Sequence, residues 1–172
     1  MHYPIFDIMS NHVTIQPPVM QMETSVVHSE YLERDVTINI YLPSKIHYLD
    51  QVSLLLFNDG QDLIKMRFDE LFSDLLTNGS IEPIVCVGIH CGPERKMEYG
   101  TAYSADFNGR GAKAGLYSKF IFDELLPFIR KKYNAPSFKD KSFAGFSLGA
   151  LSALDIAWNN ASEFRKIGLF SP

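Results

Sequence analysis

The sequence predicts an α/β fold in which a mainly parallel sheet carries helices on both faces and antiparallel strands at one edge. Before residue 50, the runs "TSVVHSEYL" and "DVTINIYLP" alternate polar and apolar residues, which is typical of antiparallel strands with one solvated face. After residue 50, short apolar runs and amphipathic stretches follow in the order strand, helix, strand, loop, helix, strand, helix, strand. This alternation predicts β-α-β units with parallel pairing.

Three alternating runs open the chain. "HVTIQ" at residues 12–16 is ended by Pro17-Pro18, and the two longer runs cover residues 24–32 and 35–43. We expect these antiparallel strands to extend one edge of the parallel sheet.

Two buried strands and a helix are predicted next. "VSLLLFND" (52–59) and "IVCVGIH" (84–90) are nearly continuous apolar runs, as expected for strands covered on both faces. Between them, residues 60–79 predict one amphipathic helix that stops at Asn78-Gly79. Its apolar residues at helical spacing are Leu63, Met66, Leu71, Leu75 and Leu76.

The second half begins with a long polar stretch. Residues 91–113 show no clear element and are long for a connecting loop, which is often a feature of functional loops. Residues 115–134 predict an amphipathic helix with a basic last turn, and Pro127 either bends it or marks its division. The final strand, helix and strand are "KSFAGFS" (141–147), "LGALSALDIAWNNASEF" (148–164) and "KIGLFSP" (166–172).

Composition fits one globular domain over residues 1–172, since 46% of the residues are hydrophobic. A net charge of −4 argues against nucleic-acid or anionic-membrane partners. No apolar run approaches the roughly 20 residues that span a bilayer, and no signal peptide is recognised, so we expect a cytoplasmic protein. The spacing of Cys86 and Cys91 favours neither a disulfide nor a zinc site.

The segment Gly145-Phe146-Ser147-Leu148-Gly149 matches G-x-S-x-G between a predicted strand and a predicted helix. In that context the serine stands on a sharp turn with its hydroxyl exposed, and the glycines let strand and helix approach closely. Ser147 is therefore the candidate nucleophile. The Leu148 N–H is the candidate first donor to an oxyanion. The alternative is a strand-helix turn in which Ser147 is an ordinary N-cap.

A second oxyanion donor is expected from the loop that follows the 52–59 strand. There, Asn58-Asp59-Gly60-Gln61 turns directly into a helix, and Gly60 permits close backbone approach. The Gln61 N–H is the candidate, with the Asp62 N–H less favoured. The alternative is a plain strand-helix turn capped by Asp59 or Asp62.

Four stretches in this order, "LLLFNDGQDL", "GIHCGPERKMEYGTAY", "FIFDELLPFIRKKYN" and "FAGFSLGALSAL", resemble the putative-esterase family of α/β-hydrolases. That family includes enterochelin esterase-like enzymes, feruloyl esterases, S-formylglutathione hydrolase and mycolyltransferases. The resemblance implies a serine hydrolase or acyltransferase for small-molecule esters, with no metal or organic cofactor.

On matching positions, the resemblance implies Ser147 as the nucleophile and the Leu148 and Gln61 amides as the oxyanion hole. It also implies that the loop with Arg95, Glu98 and Tyr99 borders the substrate entrance. A structural role in fixing that loop is an equal alternative. Asp59 and His90 complete the candidate pocket-lining residues, which are Asp59, His90, Arg95, Glu98 and Tyr99.

A serine needs a base and an acid, and no histidine follows Ser147. Asp155 stands roughly 12 Å along the next helix, too far to orient a histidine beside Ser147, and Glu163 is farther. His90 ends a central strand. In the expected strand order, the 52–59 strand lies between it and the strand that leads to Ser147, and two inter-strand spacings amount to about 10 Å. A pocket-lining or structural role is therefore favoured for His90. His2, His12, His28 and His47 fall in or near the antiparallel edge.

We therefore expect the C-terminal part of the hydrolase fold to be missing, with the acid and the histidine beyond residue 172. Such a fragment would expose the edge of "KIGLFSP" and could self-associate through it. Two alternatives stay open: an acyltransferase of the same fold, and a catalytically silent module that binds a ligand or partner.

Overall fold

The computed structural model describes residues 19–44, 52–106, 109–135 and 137–172 and contains a six-stranded mixed sheet. The predicted strand "HVTIQ" and the histidines at positions 2, 12 and 47 lie outside the described residues. The strands are β1 (Met20–Ser29), β2 (Arg34–Pro43), β3 (Ser53–Asn58), β4 (Ile84–Ile89), β5 (Lys141–Phe146) and β6 (Lys166–Phe170). The helices are α1 (Gly60–Lys65), α2 (Phe68–Thr77), α3 (Arg95–Glu98), α4 (Ala114–Lys119), α5 (Leu126–Lys132) and α6 (Leu148–Asn159).

The strand order is β1-β2-β4-β3-β5-β6, which confirms the predicted fold class. β1 pairs antiparallel with β2, and β2 pairs antiparallel with β4, whereas β4, β3, β5 and β6 run parallel. In the central register, Asn58 lies opposite Ile89, and Phe57 lies opposite Ala144. The carboxyl ends of β3, β4 and β5 therefore meet at one end of the sheet, where ligands of open α/β sheets usually bind.

The prediction of one helix over residues 60–79 was wrong, because α1 ends at Lys65 and α2 begins at Phe68. Arg67 between them takes a left-handed conformation, with φ of 52°. The break lets α1 bury Leu63 and α2 bury Phe68, while Met66, expected on the apolar face, is 50% exposed. Tertiary packing here overrides a continuous helical pattern.

The helical region after the long loop has three parts. α4 leads into a π-helical segment, Phe120–Leu125, which leads into α5. Pro127 is the second residue of α5, directly after the π-helical segment, so the helix divides beside this proline as predicted. The prediction of no element within residues 91–113 was wrong, since α3 occupies part of that loop.

Two apolar clusters cover the sheet. The larger contains residues of α4, the π-helical segment, α5 and α6 on one face, and the smaller contains residues of α1 and α2 on the other. The smaller cluster leaves an apolar groove of about 850 Å³ beside β5 and β6, which we call the β6 groove. Residues lining it include Leu55, Phe57, Phe72, Phe146, Ile167 and Phe170. Within the described ranges, no helix has the length and hydropathy needed to cross a bilayer.

Candidate active site

Ser147 occupies the sharp turn between β5 and α6, and it is exposed. Its backbone has φ of 51° and ψ of −125°, a conformation that costs a non-glycine residue about 1–3 kcal/mol. The surrounding chain holds it there: the Ser147 N–H donates to the carbonyl of Phe170 at 2.9 Å, and its own carbonyl accepts from Ala150 at 2.9 Å. The hydroxyl makes no capping hydrogen bond, so the ordinary N-cap alternative lacks its defining contact.

Two glycines make this turn possible. A Cβ at Gly145 would lie 2.6 Å from the Gly149 carbonyl carbon, so only a bare backbone lets the end of β5 meet the first turn of α6. A Cβ at Gly149 would lie 2.7 Å from a carboxylate oxygen of Asp59. The first turn of α6 is therefore pressed directly against the loop that follows β3.

Two backbone amides are the candidate donors to an oxyanion. Leu148 begins α6 and Gln61 is the second residue of α1, so both lie in first turns, where N–H groups have no acceptor within the helix. In the part of the chain that the structure describes, neither amide donates to another backbone carbonyl. The Asp62 N–H, the less favoured candidate, donates to the Asp59 carbonyl at 2.9 Å and is thereby occupied.

The side chain of Gln61 is tied to the end of β4. Its Nε2 donates to the Sγ of Cys91 at 3.2 Å, and its Oε1 accepts from the Cys91 N–H at 3.1 Å. Burial raises the pKa of the Cys91 thiol, with a further contribution from Asp59. This two-way contact joins the start of α1 to the loop that follows β4.

Asp59 anchors the loop and does not cap α1. It is buried with φ of 60°, and no side-chain capping bond is made at this helix start. Its carboxylate accepts two hydrogen bonds from Arg95, at 2.7 and 2.8 Å, and its N–H donates to the Tyr99 hydroxyl at 3.2 Å. The Arg95 guanidinium lies 5.1 Å from the Tyr99 ring centroid. The hydrogen bond with Asp59 raises the pKa of Arg95, whereas burial raises that of Tyr99.

Glu98 and Tyr99 are fully buried, which favours the structural alternative for these two residues. The Glu98 carboxylate accepts hydrogen bonds from Nε and Nη2 of Arg34, each at 2.7 Å. Arg34 begins β2, so this ion pair joins the antiparallel edge of the sheet to the long loop. The sequence analysis did not identify Arg34, because 64 residues separate it from Glu98 and no local pattern marks the pair.

His90 follows β4 at the same end of the sheet, and burial lowers its pKa. Its Nε2 lies 2.8 Å from Nδ2 of Asn39. Among the described residues, His90 has no hydrogen bond to Ser147, which agrees with a structural or pocket-lining role. Asp155 accepts from the Ala102 N–H at 2.9 Å, so it holds the long loop against α6.

Asn58 and Tyr117 also belong to this region, and the sequence analysis did not identify either of them as a site residue. Tyr117 donates its hydroxyl to Oδ1 of Asn58 at 2.6 Å, and Nδ2 of Asn58 donates to the Gly149 carbonyl at 2.8 Å. The available signal was a polar asparagine at the end of an apolar strand. In the described residues, no group of three or more His, Cys, Asp and Glu side chains could hold a metal ion.

A family model described as "Putative esterase" matches residues 29–172. The YjcH protein of Bacillus subtilis (strain 168) is 27% identical over 150 residues, which cover 84% of this chain and 58% of YjcH.

Solved structures show the same fold. The BES protein from Bacillus cereus superposes with a TM-score of 0.72 at 22% identity, covering 87% of this chain and 60% of BES. Enterochelin esterase from Shigella flexneri gives a TM-score of 0.71 at 19% identity, covering 90% of this chain and 37% of that enzyme. The chain therefore spans less than two thirds of the length of each of these relatives.

Proposed function

The chain belongs to the putative-esterase family, and on that premise we propose that it is a serine-dependent carboxyl-ester hydrolase that forms an acyl-enzyme on Ser147. One observation supports this most directly: an exposed serine is held in a costly backbone conformation at the start of α6. Strain of this kind persists where the surrounding structure over-determines it, and it concentrates at functional sites.

In the proposed reaction, the Ser147 Oγ attacks the ester carbonyl carbon while a base takes its proton. The carbonyl oxygen becomes an oxyanion, which accepts hydrogen bonds from the Leu148 and Gln61 amides. Collapse of this intermediate expels the alcohol, which receives the proton from the base. Water then attacks the acyl-enzyme in the same way, releasing the carboxylic acid and restoring Ser147.

The two amides supply the electrostatic part of this chemistry. Preorganised donors act in a site of low dielectric and need no reorganisation when charge develops. Losing one such donor typically costs about 10²–10³ in rate, which corresponds to roughly 3–4 kcal/mol. Asp59, Arg95 and Tyr99 are proposed to contribute by holding the loop that positions the Gln61 amide.

The base is proposed to be a histidine oriented by an aspartate, both beyond residue 172 in a longer protein. This follows the chain order of α/β-hydrolases, in which acid and histidine come after the nucleophile. Residues 1–172 alone should show little or no ester turnover, because an unactivated serine hydroxyl is a weak nucleophile.

Labelling with a fluorophosphonate probe tests the proposal in the natural protein that carries this chain. We expect covalent labelling that Ser147→Ala abolishes. Ser171→Ala is the matched control, since Ser171 is also an exposed serine with positive φ, 46°, at the end of the neighbouring strand. Labelling that survives Ser147→Ala, or a folded natural protein that resists the probe, would overturn the proposal.

The proposed partners are a small-molecule ester and, through β6, a second protein surface. β6 is the last strand of the sheet, and Ile167, Leu169 and Phe170 are exposed on it. A strand with one open edge and apolar side chains can pair with another strand, so we propose that residues 1–172 on their own self-associate at this edge. A cytoplasmic location and the absence of nucleic-acid partners stay predictions.

A further inference from the structure

A buried chain of hydrogen bonds links three elements beneath the Ser147 turn. The Tyr117 hydroxyl in α4 donates to Asn58 Oδ1 at 2.6 Å, and Asn58 Nδ2 donates to the Gly149 carbonyl at 2.8 Å. Tyr117 is 1% exposed and Asn58 is fully buried. Buried hydrogen bonds of this kind are strong because the local dielectric is low, and losing one partner leaves the other buried without a hydrogen bond.

The two ends of the Asn58 side chain have different tasks. The Gly149 carbonyl can only accept, so the amide nitrogen of Asn58 faces it, and Oδ1 is left to accept from the Tyr117 hydroxyl. Without that hydroxyl, Oδ1 loses its buried donor and this end of the side chain is no longer held. Tyr117 therefore anchors the side chain that bonds to Gly149.

The positions of these residues along the chain relate them to the two oxyanion donors. Gly149 immediately follows Leu148, and Asn58 precedes Gln61 by three residues. The bond from Asn58 to Gly149 is thus a direct tie between the two segments that carry the donors. The close approach of Gly149 to Asp59 shows that these segments are also in van der Waals contact.

We infer that Tyr117 and Asn58 are positioning residues that set the spacing between the Leu148 and Gln61 amides. This inference rests on the proposed function. Neither side chain contacts the reacting atoms; each acts through the backbone it holds. The Tyr117 ring is itself held by edge contact with Tyr99, at a centroid distance of 5.2 Å, and by Phe120 at 5.9 Å. Burial raises the pKa of Tyr117, so its hydroxyl remains a donor at neutral pH.

Tyr117→Phe tests the inference, because it removes the donor and keeps the ring. In the natural protein that carries this chain, we expect the rate constant for fluorophosphonate labelling and kcat for a p-nitrophenyl ester to fall about tenfold, since misplacement of catalytic groups costs rate. We expect KM to change less than twofold. Rates are taken per folded molecule, and melting temperatures are recorded for each variant.

Tyr41→Phe is the matched control. Tyr41 is also 1% exposed, but its buried hydroxyl has no hydrogen-bond partner among the described residues, and it belongs to the apolar cluster on the other face of the sheet. Both variants lose one buried hydroxyl, and only Tyr117→Phe breaks the hydrogen-bonded link to the Ser147 turn. We expect the labelling rate of Tyr41→Phe to match that of the wild type.

Asn58→Asp provides a second, isosteric test that keeps the acceptor for Tyr117 and removes the donor to Gly149. It should lower the labelling rate at least as far as Tyr117→Phe, and adding Tyr117→Phe to it should have little further effect, because the two residues act in series. Wild-type rates in both single variants, with labelling still dependent on Ser147, would overturn the inference and leave the proposed function intact. Absence of labelling in the wild type would instead remove the proposed function.

Discussion

The turn at Ser147 and the edge of β6 are joined by one hydrogen bond, from the Ser147 N–H to the Phe170 carbonyl, yet they are built in opposite ways. Around the turn, polar side chains are buried and paired, and two glycines bring backbones into contact. Along β6, Ile167, Leu169 and Phe170 are 38%, 39% and 47% exposed. Apolar pockets flank this strand on both faces of the sheet. The β6 groove lies on one face, and a smaller pocket beside Trp158 lies on the opposite face.

The two regions differ in how strongly their packing restricts the chain to one arrangement. Paired buried polar groups favour one arrangement of the chain, since any slip leaves a donor or an acceptor unsatisfied. An apolar edge imposes no such restriction and suits a surface that another strand or helix covers. Substitutions should therefore act on stability and reactivity at the turn, and on association at the edge.

The largest effect is expected from Arg34→Met, which leaves the buried Glu98 carboxylate without its partner. Breaking a buried ion pair from one side typically lowers the free energy of unfolding by about 3–5 kcal/mol. Urea denaturation measures this loss. Arg67→Met is the control, because the Arg67–Glu70 pair is exposed and such pairs contribute about 0–1 kcal/mol. Equal losses in the two variants would contradict the structural role given to Glu98.

Gly149→Ala should come next, because its methyl group would meet Asp59 at 2.7 Å and Asn58 at 3.1 Å. Overpacking of this kind typically costs about 1–3 kcal/mol, and it should also separate the two proposed oxyanion donors. Differential scanning calorimetry and probe labelling report the two effects. Gly115→Ala in α4 is the control, since its Cβ meets nothing closer than 3.9 Å and alanine favours helix by up to about 1 kcal/mol. A harmless Gly149→Ala would show that the turn is looser than described.

Replacing the strained serine should produce a smaller effect of opposite sign. Ser147→Gly relieves the positive φ of 51°, whereas Ser147→Ala retains it. We expect Ser147→Gly to be more stable than Ser147→Ala by about 1 kcal/mol, after part of the relief is offset by the entropy of the glycine in the unfolded chain. Chemical denaturation of the two variants gives this difference directly. Equal stability would mean that the turn stores no strain at this residue.

The smallest effect on stability is expected at the edge. Leu169→Lys should change the free energy of unfolding by no more than about 0.5 kcal/mol, because the residue is exposed. The same variant should abolish the proposed self-association, which analytical ultracentrifugation measures over a range of concentrations. Val26→Lys on β1, the opposite edge strand, is the control and should leave association unchanged. Association that persists in Leu169→Lys would place the contact elsewhere.

Sequence patterns predicted the strands well because continuous apolar runs leave few other places for a segment to fold. β3, β4, β5 and β6 were each predicted to within two residues of their bounds, and β3 lies between β4 and β5, as the usual order of the fold led us to expect. The helix over 60–79 failed because nothing local marks Arg67 as left-handed; there is no glycine or proline at that position. Burial of Leu63 and Phe68 on either side of Arg67 decides the break.

The candidate site could be predicted only where its residues lie close together in the sequence. The G-x-S-x-G segment and the Asn58-Asp59-Gly60-Gln61 turn each form a continuous motif. Arg34, Asn58 and Tyr117 became recognisable only through contacts between residues 59 to 91 positions apart. Such pairs depend on the folded topology, and the only local signal among these three residues was the polar Asn58 at the end of an apolar strand.

Because of the π-helical segment Phe120–Leu125, the number of residues in this helical region affects the position of the proposed nucleophile. A π turn holds one residue more than an α turn, and each residue rotates a helix by about 100°. Tyr117 lies before this segment, and the buried Ile129 lies after it, so the extra residue lets both side chains face the sheet. Deleting one residue between them would turn either the tyrosine away from Asn58 or α5 out of the core. Side chains along this stretch can be replaced one at a time, but removing a single position would disturb the Ser147 turn.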